Sequence, residues 1–205
     1  MPIKVTLKHV NALRLVVHVC CIVWRVNQYY LGFTDNLGAD PIKTLIHSTG
    51  MAGLNLLLLS LTISPTAKWL KSGHIVKLRR PLGLWAFAFA VCHISSYAIF
   101  ELQLDLANLL EDIIERPYIT VGFTAFLILL ALALTSTQRI RQKLANKWQI
   151  LHGYVYLAGS LIVVHFLWSV KSSFIEPLIY TATTIMLLAL RKTQIKYWIK
   201  KQINS

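Results

Sequence analysis

Apolar residues in this chain run in blocks too long and too uninterrupted for the alternating or amphipathic patterns of a soluble domain. Six blocks reach or approach the roughly 17–25 residues that a helix needs to cross a bilayer. They lie near positions 12–31, 44–63, 82–100, 118–135, 151–169 and 175–191. Polar punctuation flanks them: Ser64-Pro65 is expected to stop the second block, and Arg80-Pro81, Arg116-Pro117 and Glu176-Pro177 to start the third, fourth and sixth. The stretch from Leu102 to Glu115 has a different pattern. Leu106, Leu109, Leu110, Ile113 and Ile114 recur there at helical spacing among acids, which predicts a short amphipathic helix on the membrane surface. No internal repeat, low-complexity segment or linker stands out. The pattern predicts an all-α integral membrane protein, a bundle of six transmembrane helices forming a single domain over residues 1–205.

Composition agrees with the pattern: of 205 residues, 56% are hydrophobic and only 14% charged, with a mean hydropathy of +0.57. A net charge of +13 would suit a nucleic-acid binder, but its distribution argues for no nucleic acid. Most basic residues fall in four clusters beside the apolar blocks: Lys4, Lys8 and Arg14; Lys68, Lys71, Lys77, Arg79 and Arg80; Arg139, Arg141, Lys143 and Lys147; Arg191, Lys192, Lys196, Lys200 and Lys201. The acidic residues Asp35, Asp40, Glu101, Asp105, Glu111, Asp112, Glu115 and Glu176 lie in or beside the alternate connections. By the positive-inside rule both termini are cytoplasmic. The start is basic without a small-residue cleavage site, so the first block is expected to remain as a span. Cys20, Cys21 and Cys92 make neither a CxxC pair nor a CxxCH haem-attachment site.

Histidine is rare inside a span and marks a candidate functional site there. His9 and His74 fall in the basic segments; His18, His47, His93, His152 and His165 lie in or at the edge of apolar blocks. With the third and fifth spans running in the same direction, His93 and His165 reach depths that agree within about one helical turn. Two imidazoles at one depth on different spans can supply both axial ligands of a b-type haem, or can hydrogen-bond across helix interfaces. Zinc would need a tighter cluster of Cys, His or carboxylate than the spacing offers. His152 lies about 20 Å from His165 along the helix, at the cytoplasmic start of the fifth span. It is a half-site, for which His18 is a conceivable partner. Arg79 and Arg80 at the start of the third span are candidates for haem propionates or a flavin phosphate, or for anionic membrane lipid. His47 is a candidate quinone or haem-edge contact, while Gly50 and Gly53 suit close helix packing and Ser95, Ser96 and Tyr97 interhelical hydrogen bonds. The six tryptophans lie near span boundaries, as an aromatic belt would. No nucleophile–base arrangement and no phosphate-cradling glycine loop is visible.

Several stretches, in their order and spacing, carry a resemblance over nearly the whole chain. They are Gly38-Ala39-Asp40-Pro41 leading into His47-Ser48-Thr49-Gly50, Arg79-Arg80-Pro81-Leu82-Gly83-Leu84-Trp85, His93-Ile94-Ser95-Ser96-Tyr97, Arg116-Pro117-Tyr118, Leu134-Thr135-Ser136-Thr137-Gln138, Trp148-Gln149-Ile150-Leu151-His152 and His165-Phe166-Leu167-Trp168-Ser169-Val170-Lys171. The chain resembles the MsrQ family (formerly YedZ), haem-binding membrane subunits of the bacterial MsrPQ methionine sulfoxide reductase system, within the wider ferric-reductase-like transmembrane group. That group holds two haems between its third and fifth helices, with two histidines on each. This sequence has His152 and His165 on the fifth but only His93 on the third.

The resemblance implies a multi-pass protein of the bacterial inner membrane that binds haem b and FMN. It would take electrons from the quinone pool (as quinol) or a cytosolic flavin reductase and pass them to MsrP. That partner is a periplasmic molybdoenzyme that repairs methionine sulfoxide in envelope proteins. The chain would then be an electron-transfer subunit rather than the catalytic one, with the acidic connection or Lys171 available to dock the partner. The short tail leaves no room for the FAD/NADPH domain of the oxidase members. The alternatives are a stand-alone transmembrane ferric reductase and a non-redox transporter or assembly factor.

Overall fold

The computed structural model describes residues 6–170 and 173–203. Lys4 of the first basic cluster and the docking candidate Lys171 lie outside them. All regular structure among the described residues is helical. The long elements are α1 (Leu7–Phe33), α2 (Pro41–Trp69) and α3 (Arg79–Ser96). A 3₁₀ segment, Gly73–Leu78, leads into α3, and a π-helical turn, Tyr97–Glu101, ends it. Then come α4 (Leu106–Glu115), α5 (Pro117–Leu134), α6 (Gln138–Gly153), α7 (Val155–Ser169), α8 (Ile175–Leu190) and α9 (Lys192–Ile203).

Five segments are long and apolar enough to cross a bilayer: Leu7–Phe33, Pro41–Trp69, Gly73–Glu101, Pro117–Leu134 and Gln138–Ser169. Their apolar side chains face outward in a way water would not tolerate. In α1 alone Leu13, Leu15, Val16, Ile22, Val23 and Val26 are exposed, a contiguous apolar surface that marks a lipid-facing helix. The protein is a multi-pass membrane protein. The sixth predicted span corresponds to α8, apolar but only 16 residues long. The predicted amphipathic helix is present as α4, with Leu106, Leu110 and Ile114 exposed and an Arg116–Asp112 ion pair of 2.8 Å closing its C-terminal turn.

Several expected boundaries shift. Ser64-Pro65 does not stop the second span, because α2 continues through Pro65 to Trp69. A proline inside a membrane helix is tolerated where neighbouring groups satisfy the backbone. The fifth span is not one helix from 151: α6 begins at Gln138, breaks its regularity at Ala145 (φ 43°, ψ −115°) and passes through a turn at Tyr154 into α7. The basic segments expected as a connection and a tail are thus largely helical, in α6 and α9.

The chain divides into two compact units, Met1–Leu109 and Leu110–Ser205. In the first, α2 packs chiefly along α3. The close approach needs a small residue: a Cβ on Gly53 would meet the Ala86 carbonyl oxygen at 3.3 Å. At one end Val10, Ile63, Ala67, Ile75, Leu78 and Leu82 form a buried cluster joining α1, α2, the 3₁₀ segment and α3. Tyr29 and the fully buried Ser96 share a 3.0 Å hydrogen bond between α1 and α3. Thr6 caps α1, and Asp40 caps α2 by accepting from the Lys43 amide at 3.0 Å. In the second unit α5 packs along α7, α7 along α8, and α9 folds against α6.

Candidate functional site

His93 lies near the end of α3, half-buried, and its Nδ1 is 2.8 Å from the main-chain oxygen of Ile46 on α2. A carbonyl can only accept, so Nδ1 carries the proton and donates, and the lone pair of the neutral ring sits on Nε2. His165 repeats this arrangement in the second unit. It lies near the end of α7, and its Nδ1 donates to the main-chain oxygen of Tyr118 on α5 at 2.7 Å. The Tyr118 ring also stacks on it, with centroids 6.1 Å apart.

The correspondence is close. In both units 47 residues separate the carbonyl from the histidine. In both, a glycine one turn after the carbonyl lies against the ring: Gly50 faces His93 and Gly122 faces His165. Each residue of the second set follows its counterpart by 72 positions: Ile46 and Tyr118, Gly50 and Gly122, His93 and His165. The same offset pairs Gly53 with the buried Ala125, Leu57 with Leu129 and Ala86 with Ala158. The two units are variations on one helix pair, a repeat that the sequence reading did not find.

His152 is held differently. At the end of α6, its Nε2 is 3.1 Å from the Thr135 hydroxyl. That hydroxyl donates to the Ala131 carbonyl at 2.7 Å, so it accepts from His152, whose Nε2 carries the proton. Trp148 stacks on the His152 ring at 4.0 Å and donates its indole N–H to the Thr135 carbonyl at 3.0 Å. The Arg141 guanidinium lies over the Trp148 ring, 4.6 Å from its centroid. His152 therefore belongs to a cluster of Thr135, Trp148 and Arg141.

The other predicted residues are placed as follows. His18 on α1 accepts the Trp85 indole N–H on Nδ1 at 2.8 Å. Arg79 (half-buried) and Arg80 (exposed) open α3. His47 is exposed on α2, one residue beyond the Ile46 carbonyl. Sequence reasoning missed the Ile46 and Tyr118 carbonyls, Gly122, and the Thr135–Trp148–Arg141 surround of His152. One signal could have found part of this: Gly50 precedes His93 by the same interval as Gly122 precedes His165.

A family model, "Ferric reductase like transmembrane component", matches residues 49–163, more than half of the chain. The chain belongs to the ferric reductase-like transmembrane component family. Membership makes membrane electron transfer the function of the fold. The matched segment contains Gly50, His93, Gly122 and His152 and ends two residues before His165. No solved structure matches the chain.

The donor set suits the group that this family implies. In each unit by itself a carbonyl holds the proton of the imidazole on Nδ1, as for histidines that bind a metal through Nε2. Among the described residues no three His, Cys, Asp or Glu side chains gather at one point, as a tetrahedral zinc site would require. Each imidazole, taken within its own unit, suits an axial ligand of a haem iron.

Proposed function

We propose that the chain is the haem b membrane subunit of a methionine sulfoxide reductase system of the MsrPQ type. In this reading it has six spans, with α8 as the sixth, both termini in the cytoplasm, and resides in a bacterial inner membrane. His93 and His165 serve as axial ligands, and His152 serves a second redox group near the cytoplasmic face. Arg79 and Arg80 are suited to propionates or a flavin phosphate of FMN, and His47 to a quinone or haem edge. Electrons come from quinol or a cytosolic flavin reductase and leave to periplasmic MsrP.

The observation that carries this reading is the matched pair of imidazoles, each donating from Nδ1 to a main-chain carbonyl 47 residues away. Bound haem would supply one-electron chemistry. The protein's part is to fix two ring tautomers and orientations and to exclude water with apolar helices.

The test is the visible spectrum of the purified chain, oxidised and dithionite-reduced, with a pyridine haemochrome assay. Low-spin haem b bands are expected, lost in His93→Ala and in His165→Ala while both variants still insert in the membrane. Full haem content in both variants would sink the ligand assignment. The family's own description supports a second reading, a stand-alone ferric reductase. Dithionite-reduced protein reoxidised by Fe(III) chelates but not by MsrP would favour that reading.

A further inference from the structure

In both units a glycine lies directly against the imidazole ring. We propose that Gly50 and Gly122 are positioning residues, equivalent in the two units, that open a main-chain carbonyl to the histidine and so set its strength as an iron ligand. The inference rests on the haem reading above.

In an α-helix the oxygen of residue i already accepts the N–H of residue i+4. Residue i+4 also sits directly above residue i on the same face. A second donor approaching that oxygen from the side must use its remaining lone pair, and must pass the place where the Cβ of residue i+4 would stand. The imidazole of His93 reaches the Ile46 oxygen past Gly50, and that of His165 reaches the Tyr118 oxygen past Gly122. A Cβ at Gly50 would lie 3.0 Å from Nδ1 and 3.2 Å from Cε1 of His93. A Cβ at Gly122 would lie 2.7 Å from Nδ1, 2.9 Å from Cγ and 3.0 Å from Cε1 of His165. An alanine therefore pushes the ring off its carbonyl, mildly in the first unit and severely in the second.

The consequence has a sign. An Nδ1–H bonded to a carbonyl makes the imidazole a more basic ligand, which favours the oxidised metal. Weakening that bond raises the midpoint potential. A glycine needed only for helix packing would have no such effect, and the molecule contains a control. Gly53 lies on the same face of α2, and its Cβ would meet the Ala86 oxygen at 3.3 Å and Phe89 Cβ at 3.6 Å, with no histidine among its nearest neighbours.

The experiment is redox titration and low-temperature EPR of the haem-loaded full chain and of Gly50→Ala, Gly122→Ala and Gly53→Ala. Helix content and haem stoichiometry are recorded alongside. Expected are a raised potential and shifted low-spin g-values in both Gly50→Ala and Gly122→Ala, larger in the latter up to loss of haem, and neither change in Gly53→Ala. If Gly122→Ala does not accumulate, Gly50→Ala decides alone. Unchanged potential and g-values in Gly50→Ala with full haem, or an equal shift in Gly53→Ala, would overturn the proposal while leaving the haem reading intact. A wild-type chain without haem would instead overturn the reading beneath it.

Discussion

The indole of Trp198 donates to the main-chain carbonyl of Ile150 at 2.7 Å, so the last helix is tied to the segment that carries His152. The same indole lies against Gly153, where an added Cβ would collide with it. The Tyr154 ring meets it edge-on, with centroids 5.2 Å apart. Gly153→Ala should displace Trp198 and cost about 1–3 kcal/mol, the usual range for overpacking. The measurement is thermal unfolding in detergent combined with limited proteolysis. An unchanged melting temperature with α9 still protected would show that the contact is dispensable.

Arg191, the first residue of the last basic cluster, is 2% exposed at the junction of α8 and α9. It donates to the Tyr156 hydroxyl at 3.2 Å and lies 5.8 Å from that ring. Tyr156→Phe keeps the ring and removes the acceptor. Hydrogen bonds to charged groups contribute about 1.5–3 kcal/mol, and chemical denaturation should show a loss of that order. A loss of a few tenths or less would mean that other groups hold the guanidinium.

Ala145 has φ 43° and ψ −115° inside α6, a conformation costly for any residue with a Cβ. Ala145→Gly should raise stability by about 1 kcal/mol or more, since strained backbone of this kind costs on the order of 1–3 kcal/mol. A lower melting temperature for Ala145→Gly would indicate that the bend is not strained.

His152→Ala is expected to give partial loss: a second haem, or flavin binding, or the rate of electron uptake declines while the His93 and His165 signal remains. Trp148→Ala removes the stacked ring and should move the same readout in the same direction. Normal cofactor content and normal turnover in both variants would return His152 to a structural role.

Five of the six expected spans were legible because bilayer thickness imposes a length on apolar runs that few other constraints mimic. α5 begins within a residue of its expected start at Pro117-Tyr118. Pro65 misled because a proline rule from water-exposed helices was applied where membrane packing tolerates it. Charge density hid α6 and α9, since Arg139, Arg141, Lys143 and Lys147 read as a connection although Thr137 caps a helix there. The histidines stood out by rarity. Their partners did not, because the Ile46 and Tyr118 contributions are main-chain oxygens, which any residue type supplies. The repeat escaped as well. Its identical pairs, such as Gly50 with Gly122 and Leu57 with Leu129, lie far apart among residues that differ, as Gly53 against Ala125 illustrates.

One further consequence follows from the length of α8. Sixteen residues rise only about 24 Å, against a hydrocarbon core near 30 Å. If α8 crosses, as proposed above, the leaflets can dimple towards each other around it to match its length. Lipid chain length then becomes an elastic load on the second unit. Reconstitution in short-chain phosphatidylcholine would relax that load, and in long-chain phosphatidylcholine the same protein would be under tension.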